Sequence, residues 1–242
     1  MEIQHKFART VRTRLNGSGL SNSLDGNVDD LFCKSDDEED DYTPSITRLP
    51  PAKPRFISEI HHFFMEHFMV ARARLSVAVL KANYIESLCD LFKMSEDLGD
   101  LEDLHRLFEI FKILVMLNHP RILDRLFSND NVMQVMGALE YDPDLVHRPQ
   151  HRHFLEKVVV FHQVVTLPSY IVDQIHRSFR IQYLKDVVLA RILDESTFTF
   201  LNSIIMFANS KIAVDIRREE TILRELYVFL HFIRELNWII AL

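Results

Sequence analysis

Glycine is scarce in this chain of 242 residues: there are five, and beyond Asp100 only Gly137 remains. Strand-rich proteins spend glycine on their turns, so the shortage argues against a β or mixed body and for an all-α one. Cysteine is nearly absent. Cys33 and Cys89 cannot form the framework of a small secreted domain, and no apolar stretch near Met1 has the length of a secretory signal. A reducing compartment, nucleus and cytoplasm, is expected. No run approaches the roughly 20 apolar residues of a membrane-spanning helix, so no membrane role is expected. Basic residues are outnumbered, 28 Lys and Arg against 35 Asp and Glu for a net charge of −7. They are also scattered, which speaks against a nucleic-acid surface built on counterion release. Catalytic signatures are missing too: there is no Gly-x-Ser-x-Gly elbow, phosphate-binding glycine loop or dinucleotide fingerprint.

Residues 1–54 read as a disordered tail. Residues 16–23 are rich in Gly, Ser and Asn, residues 36–41 are all acidic, and Pro44, Pro50, Pro51 and Pro54 favour an extended chain. Ser35 is followed by acid at every position through Asp41. It is therefore a candidate phosphorylation site for an acidophilic kinase of the casein kinase 2 type, against the plainer reading of a solvated acidic linker.

From Pro54 the apolar residues take up helical spacing. Phe56, Ile60, Phe63, Phe64 and Phe68 mark one face of a first helix. Leu75 and Val79, then Ile85, Leu88, Leu91 and Phe92, mark the next segments. The clearest helix is 101–117, with Leu101, Leu104, Leu107, Phe108, Phe111, Leu114 and Val115 inward. Glu102 and Arg106 form an i,i+4 pair on its wet side, and Asn118-His119-Pro120 stops it. Short helices follow at 122–127 and 131–139, the second with Asp130 as N-cap. Helices broken at such intervals describe an α-solenoid of armadillo or HEAT type over 55–242, with a non-repetitive helical domain as the alternative.

Between Pro143 and Pro168 the helical period fades. The β-branched run VVVFHQVV at 158–165 predicts an extended, packed crossing segment. Helix returns near Tyr170, with Ile171, Ile175, Phe179, Leu184, Val187 and Val188 inward and Asp173, Arg177, Arg180 and Lys185 wet. Asp194 or Ser196 would cap a further helix carrying Phe198, Leu201, Ile204 and Ile205.

Several of these segments carry a family resemblance. LFKMSEDL at 91–98 with Leu104-His105, LEYDP at 139–143 and HRHFL at 151–155 resemble the SMEK family, regulatory subunit 3 of protein phosphatase 4. Ile175-His176 with Arg180 and Tyr183, LKDVVLAR at 184–191 and LNSII at 201–205 continue in the same order, the last part closest to plant members. The resemblance covers residues 85–205, about half the chain. It implies an armadillo-like, non-catalytic subunit that brings the phosphatase 4 catalytic subunit to phosphoprotein substrates together with a second regulatory subunit. It implies no cofactor. Family members begin with a pleckstrin-homology/EVH1-like domain that the first 54 residues cannot form, and they extend the solenoid past this chain's apolar end, Trp238 to Leu242. A truncated and non-functional paralogue is therefore a further expectation.

Two constellations remain. His147, His151 and His153, near Asp142 and Asp144, raise the alternative of a metal-dependent hydrolase. His151 and His153 point to different faces of a helix, however, and Pro149 interrupts the i,i+4 pair His147 and His151. Arg177, Arg180, Lys185, Asp186 and Arg191 form a candidate partner surface. The competing reading is that Arg180, Asp186 and Arg191 make internal ion pairs between helices. Tyr141 and Asp142 are expected to shape the turn before Pro143.

Overall fold

The computed structural model describes residues 48–81 and 83–240. Ser35, the acidic block and the rest of 1–47 lie outside the described residues. Ten helices follow one another, and the described residues contain no strand. They are α1 (Ile57–Val70), α2 (Arg72–Lys81), α3 (Tyr84–Leu98), α4 (Leu101–Met116), α5 (Pro120–Leu126) and α6 (Val132–Ala138). Next come α7 (His151–His153), which widens into a π-helical turn (Phe154–Val158), and α8 (Ser169–Tyr183), which does the same at Leu184–Val188. Two long helices, α9 (Glu195–Arg218) and α10 (Glu220–Ile240), complete the series. The all-α expectation holds.

Local chemistry sets the corners. Gly99 ends α3 in the left-handed region (φ 70°), which glycine adopts without strain. The next residue, Asp100, caps α4 by accepting from the backbone N–H groups of Glu102 and Asp103, each at 3.2 Å. The α4–α5 corner needs Asn118 at φ 55° and then an extended His119 before Pro120. Asp194 caps α9 by accepting from the Thr197 N–H at 2.7 Å. Ahead of α1 an extended Lys53 leads into a single 3-10 turn (Pro54–Phe56), and the buried Pro50 carbonyl accepts the Tyr84 hydroxyl at 2.6 Å.

Packing proceeds mostly between elements close in the chain, as in a solenoid. Helix α1 lies along α4, α3 and α4 both meet α6, and α8 runs against α9, which leads to α10. Phe64, Phe92, Phe108, Phe111 and Phe127 are fully buried at the centre; each such ring contributes about 2–3 kcal/mol of transfer free energy. Ile181, Leu184, Leu189, Leu201 and Ile205 carry the same core into α8 and α9.

Several expectations need correction. Leu101 is 56% exposed, because it is the first residue of α4 and lies at the corner rather than under α1. Ile110 and Ile113 are buried instead, since α4 has neighbours on more than one side. Asp130 is not the cap of α6; Asn131 occupies that position, and its side chain turns back to donate to the Arg125 carbonyl at 3.0 Å. Lys185 is buried and Val187 exposed, the reverse of the α-period projection. The π-turn is the reason: its i→i+5 bond, Leu189 N–H to Leu184 O at 2.9 Å, lets the following residues slip relative to a 3.6-residue face. Residues 143–168 contain a helix, α7, whose π-turn takes in Val158; the rest of the β-branched run is irregular and mostly exposed, with the Phe161 ring packed edge-on against His176. Val160 and Val164 are 65% and 67% exposed.

Candidate functional site

The five residues of the candidate partner surface all make bonds within the domain. Arg177 on α8 pairs with Asp124 on α5. One turn on, the Arg180 guanidinium donates to the Asn129 carbonyl oxygen at 2.7 Å, and Asn129 in turn donates to Asp173 at 3.5 Å. Burial lowers the pKa of both arginines. Lys185 pairs with its neighbour Asp186, and its ammonium stands 4.6 Å from the centre of the Phe198 ring. Arg191, after the π-turn, donates to the buried Asp142 carboxylate at 2.8 Å. Asp186 and Arg191 keep exposed edges while the other three are half-buried or buried. Arg177 and Arg180 therefore join α8 to α5 and to the α5–α6 loop, and Arg191 joins the segment after the π-turn to the α6–α7 loop, while Lys185 and Asp186 pair with each other.

A larger polar cluster lies at the junction of α3, α6 and α7. Glu96, near the end of α3, accepts from Arg152 through both carboxylate oxygens, at 2.9 and 2.7 Å, from Arg148 at 3.0 Å and from the Tyr141 hydroxyl at 2.9 Å. Glu140 has a side chain only 4% exposed. It accepts the Arg152 backbone N–H at 2.8 Å, its guanidinium at 3.2 and 2.9 Å, and Arg148 at 3.1 Å. Arg152 thus forks between two carboxylates, an arrangement only a guanidinium supplies. Its bonds hold the Glu96 carboxyl down at about 2, against the opposing effect of burial, with Tyr141 and Arg148 assisting. The same carboxylates raise the Arg152 pKa.

Aromatic and backbone groups wall the cluster. The Arg148 guanidinium lies over the Tyr141 ring at 3.9 Å, and Arg152 over Phe92 at 5.8 Å. Gly137 gives them room: a Cβ there would stand 2.9 Å from Arg152 Cζ and 2.9 Å from Phe92 Cε1. Asp142 shapes the following turn by accepting the Asp144 N–H at 3.0 Å while it also holds Arg191. Sequence reasoning missed this cluster because Glu96, Glu140 and Arg152 are far apart in the chain. One signal was present: Gly137 is the sole glycine beyond Asp100, and a lone glycine inside a helical pattern marks a close approach.

The histidines do not converge. His151 is buried, and its Nδ1 lies 3.0 Å from the Tyr183 hydroxyl; burial lowers its pKa and favours the neutral ring. His153 and His147 are exposed, the latter in the α6–α7 loop. Among the described residues no group of three His, Cys, Asp or Glu side chains could hold a metal ion. A metal-dependent hydrolase has no support. Cys89, on α3, is buried among apolar side chains and its thiol is pushed up to about 12 by that burial first and by Glu86 and Asp90 next. What the polar groups accomplish chemically is mutual neutralisation. Each carboxylate of the junction is occupied by guanidinium or hydroxyl donors, which suits a latch between helices and leaves no free base beside a nucleophile.

Residues 57–232 match the family model described as phosphatase 4 regulatory subunit 3. The chain belongs to that family. Among curated relatives, it is 40% identical over 184 residues to Suppressor of Mek1 of Dictyostelium discoideum, covering 74% of this chain and 18% of that protein. It is 31% identical over 211 residues to serine/threonine-protein phosphatase 4 regulatory subunit 3 of Drosophila melanogaster, covering 83% of this chain and 21% of that one. The chain therefore spans about a fifth of the length of these relatives. No solved structure matches. The segments that carry the resemblance to the phosphatase 4 regulatory subunit 3 family hold the latch: Glu96 lies in 91–98, Glu140 and Asp142 in 139–143, His151 and Arg152 in 151–155, and Arg191 in 184–191.

Proposed function

We propose that the chain acts as a non-catalytic regulatory and scaffold subunit. It binds the phosphatase 4 catalytic subunit with a second regulatory subunit and directs them to phosphoprotein substrates in nucleus and cytoplasm. The observation that carries this reading is the family match across most of the helical body, residues 57–232. The physical setting agrees with it: the carboxylates of the α3–α6–α7 junction are committed to guanidinium and hydroxyl donors that hold these helices together. The exposed edges of Asp186 and Arg191 are the proposed partner-facing part of the surface, with Arg177, Arg180 and Lys185 fixing the α8 backbone beneath them. Ser35, within its acidic context, is the proposed phosphorylation site of the tail. The test uses the purified full chain with a phosphopeptide. Alone it releases no phosphate, and added to the catalytic subunit it changes which phosphoproteins in a mixture are dephosphorylated. Phosphate release by the chain alone, or no change in substrate distribution, overturns the proposal.

A further inference from the structure

We infer that the second half of α9, from Met206, forms with α10 an arm that releases from α8 and melts as one unit while the rest of the domain stays folded. The apolar core stops short of this arm. The buried residues of α9 are Thr197, Leu201 and Ile205, and from Met206 to Arg218 every side chain is exposed or half-buried. Ile222 of α10 is buried, but with Ile171 of α8 it lies outside the continuous core cluster.

Where the core ends, a polar seam takes over. Ser178 donates to the Asn209 side-chain oxygen at 2.8 Å, and Gln174 to the Asp215 carboxylate at 3.1 Å. The Tyr170 hydroxyl donates to Glu219 at 2.9 Å, and the Thr166 backbone N–H to Glu225 at 3.2 Å. The three side-chain donors recur at every fourth residue, on one face of α8, and Thr166 continues the row into the segment ahead of it. Their acceptors follow in the opposite chain direction along α9 and into α10. Each donor of the seam belongs to the α8 side and each acceptor to the arm.

A seam of this kind fixes register at little net gain. When the arm lifts, water replaces each lost partner, whereas parting the core exposes apolar surface that water does not compensate. Opening the arm is therefore much less costly than global unfolding. The hinge has a place as well. In the first turn beyond Ile205, Ser210 Oγ donates back to the Met206 carbonyl at 2.9 Å, a bond that competes with the helical ladder and favours bending. Helices draw most of their stability from tertiary packing, so release from α8 and melting coincide. Opening frees Tyr170, Gln174 and Ser178 to donate to other acceptors, which makes the arm a conformational switch on that face of α8. This inference does not depend on the phosphatase reading.

Native-state hydrogen exchange of the full chain at rising, sub-denaturing urea concentrations tests it. The amides of 207–228 should exchange faster than those of α4 and converge on one common, urea-dependent opening. Tyr170→Phe, Gln174→Met and Ser178→Ala each remove one seam donor from outside the arm. At least two of the three should speed exchange across all of 207–228 about fivefold, the effect of one lost hydrogen bond. The α4 amides should keep their rates, which shows that the variants fold. Exchange of 207–228 only together with α4 in the global transition overturns the inference. So does protection that rises residue by residue from the end of α10, the pattern of simple fraying, or unchanged rates in two or more of the variants.

Discussion

Gly137→Ala separates local propensity from tertiary packing, because the two predict opposite signs. Gly137 sits inside α6, where alanine is favoured over glycine by about 0.5–1 kcal/mol. On that ground alone the variant should be more stable. The new methyl, however, would come within 2.9 Å of both Arg152 Cζ and the Phe92 ring. A guanidinium at the end of a free arginine would swing away at little cost. Here it is fixed by bonds to Glu96 and Glu140, and Phe92 is only 1% exposed in the core. Overpacking of this kind costs about 1–3 kcal/mol, and the immobile neighbours place it near the upper end. Subtracting about 1 kcal/mol of helix gain leaves a net loss of about 2 kcal/mol. For a domain of this size that is a fall in Tm of about 4–8 °C. Differential scanning calorimetry measures it directly, and repeating the substitution in an Arg152→Ala background should reduce the loss, since one of the two clashes is removed. A Tm equal to or above that of the parent would refute the reasoning.

Three further outcomes follow from named groups. The Glu96 carboxyl sits at about 2, below its ordinary 4.5; its contribution to stability is complete above pH 4.5 and lost as pH falls toward 2. Urea midpoints measured across that window should fall less steeply in Glu96→Gln than in the parent. Cys89, its thiol pushed up to about 12, should resist iodoacetamide at pH 8 in the native chain and react once urea exposes it, as read by peptide mass mapping. Asp194→Ala removes the cap on Thr197 and should cost about 1 kcal/mol; Asp194→Asn, which keeps an acceptor, should retain most of the stability in the same melt.

The sequence revealed helices wherever one face is apolar over several turns. The segments 57–70 and 101–116 were legible because Ile60 and Phe64, or Leu104, Leu107, Phe108 and Phe111, recur at helical spacing and are buried. What was not legible depended on departures from that spacing or on distant partners. The π-turn after Tyr183 exchanges the burial of Lys185 and Val187, and no α-periodic projection contains the extra residue. The run at 158–165 has the composition of a buried strand, yet it forms none, and no strand exists among the described residues to pair with it. The Glu96–Arg152–Glu140 latch requires residues 56 and 12 positions apart to meet, which periodicity does not encode. The histidines near 151 suggested metal only because their neighbours in space were unknown; Tyr183 turns out to satisfy His151. The family resemblance identified relatives through the very segments whose charged residues prove structural, so it located the latch without disclosing its geometry.

The central claim is that this chain works through a bound phosphatase and not through chemistry of its own. Titrating the purified full chain into purified phosphatase 4 catalytic subunit, with association followed by biolayer interferometry, tests it most directly. The account predicts saturable binding that an unrelated helical-repeat protein does not reproduce. Responses indistinguishable from that control at every concentration would contradict it.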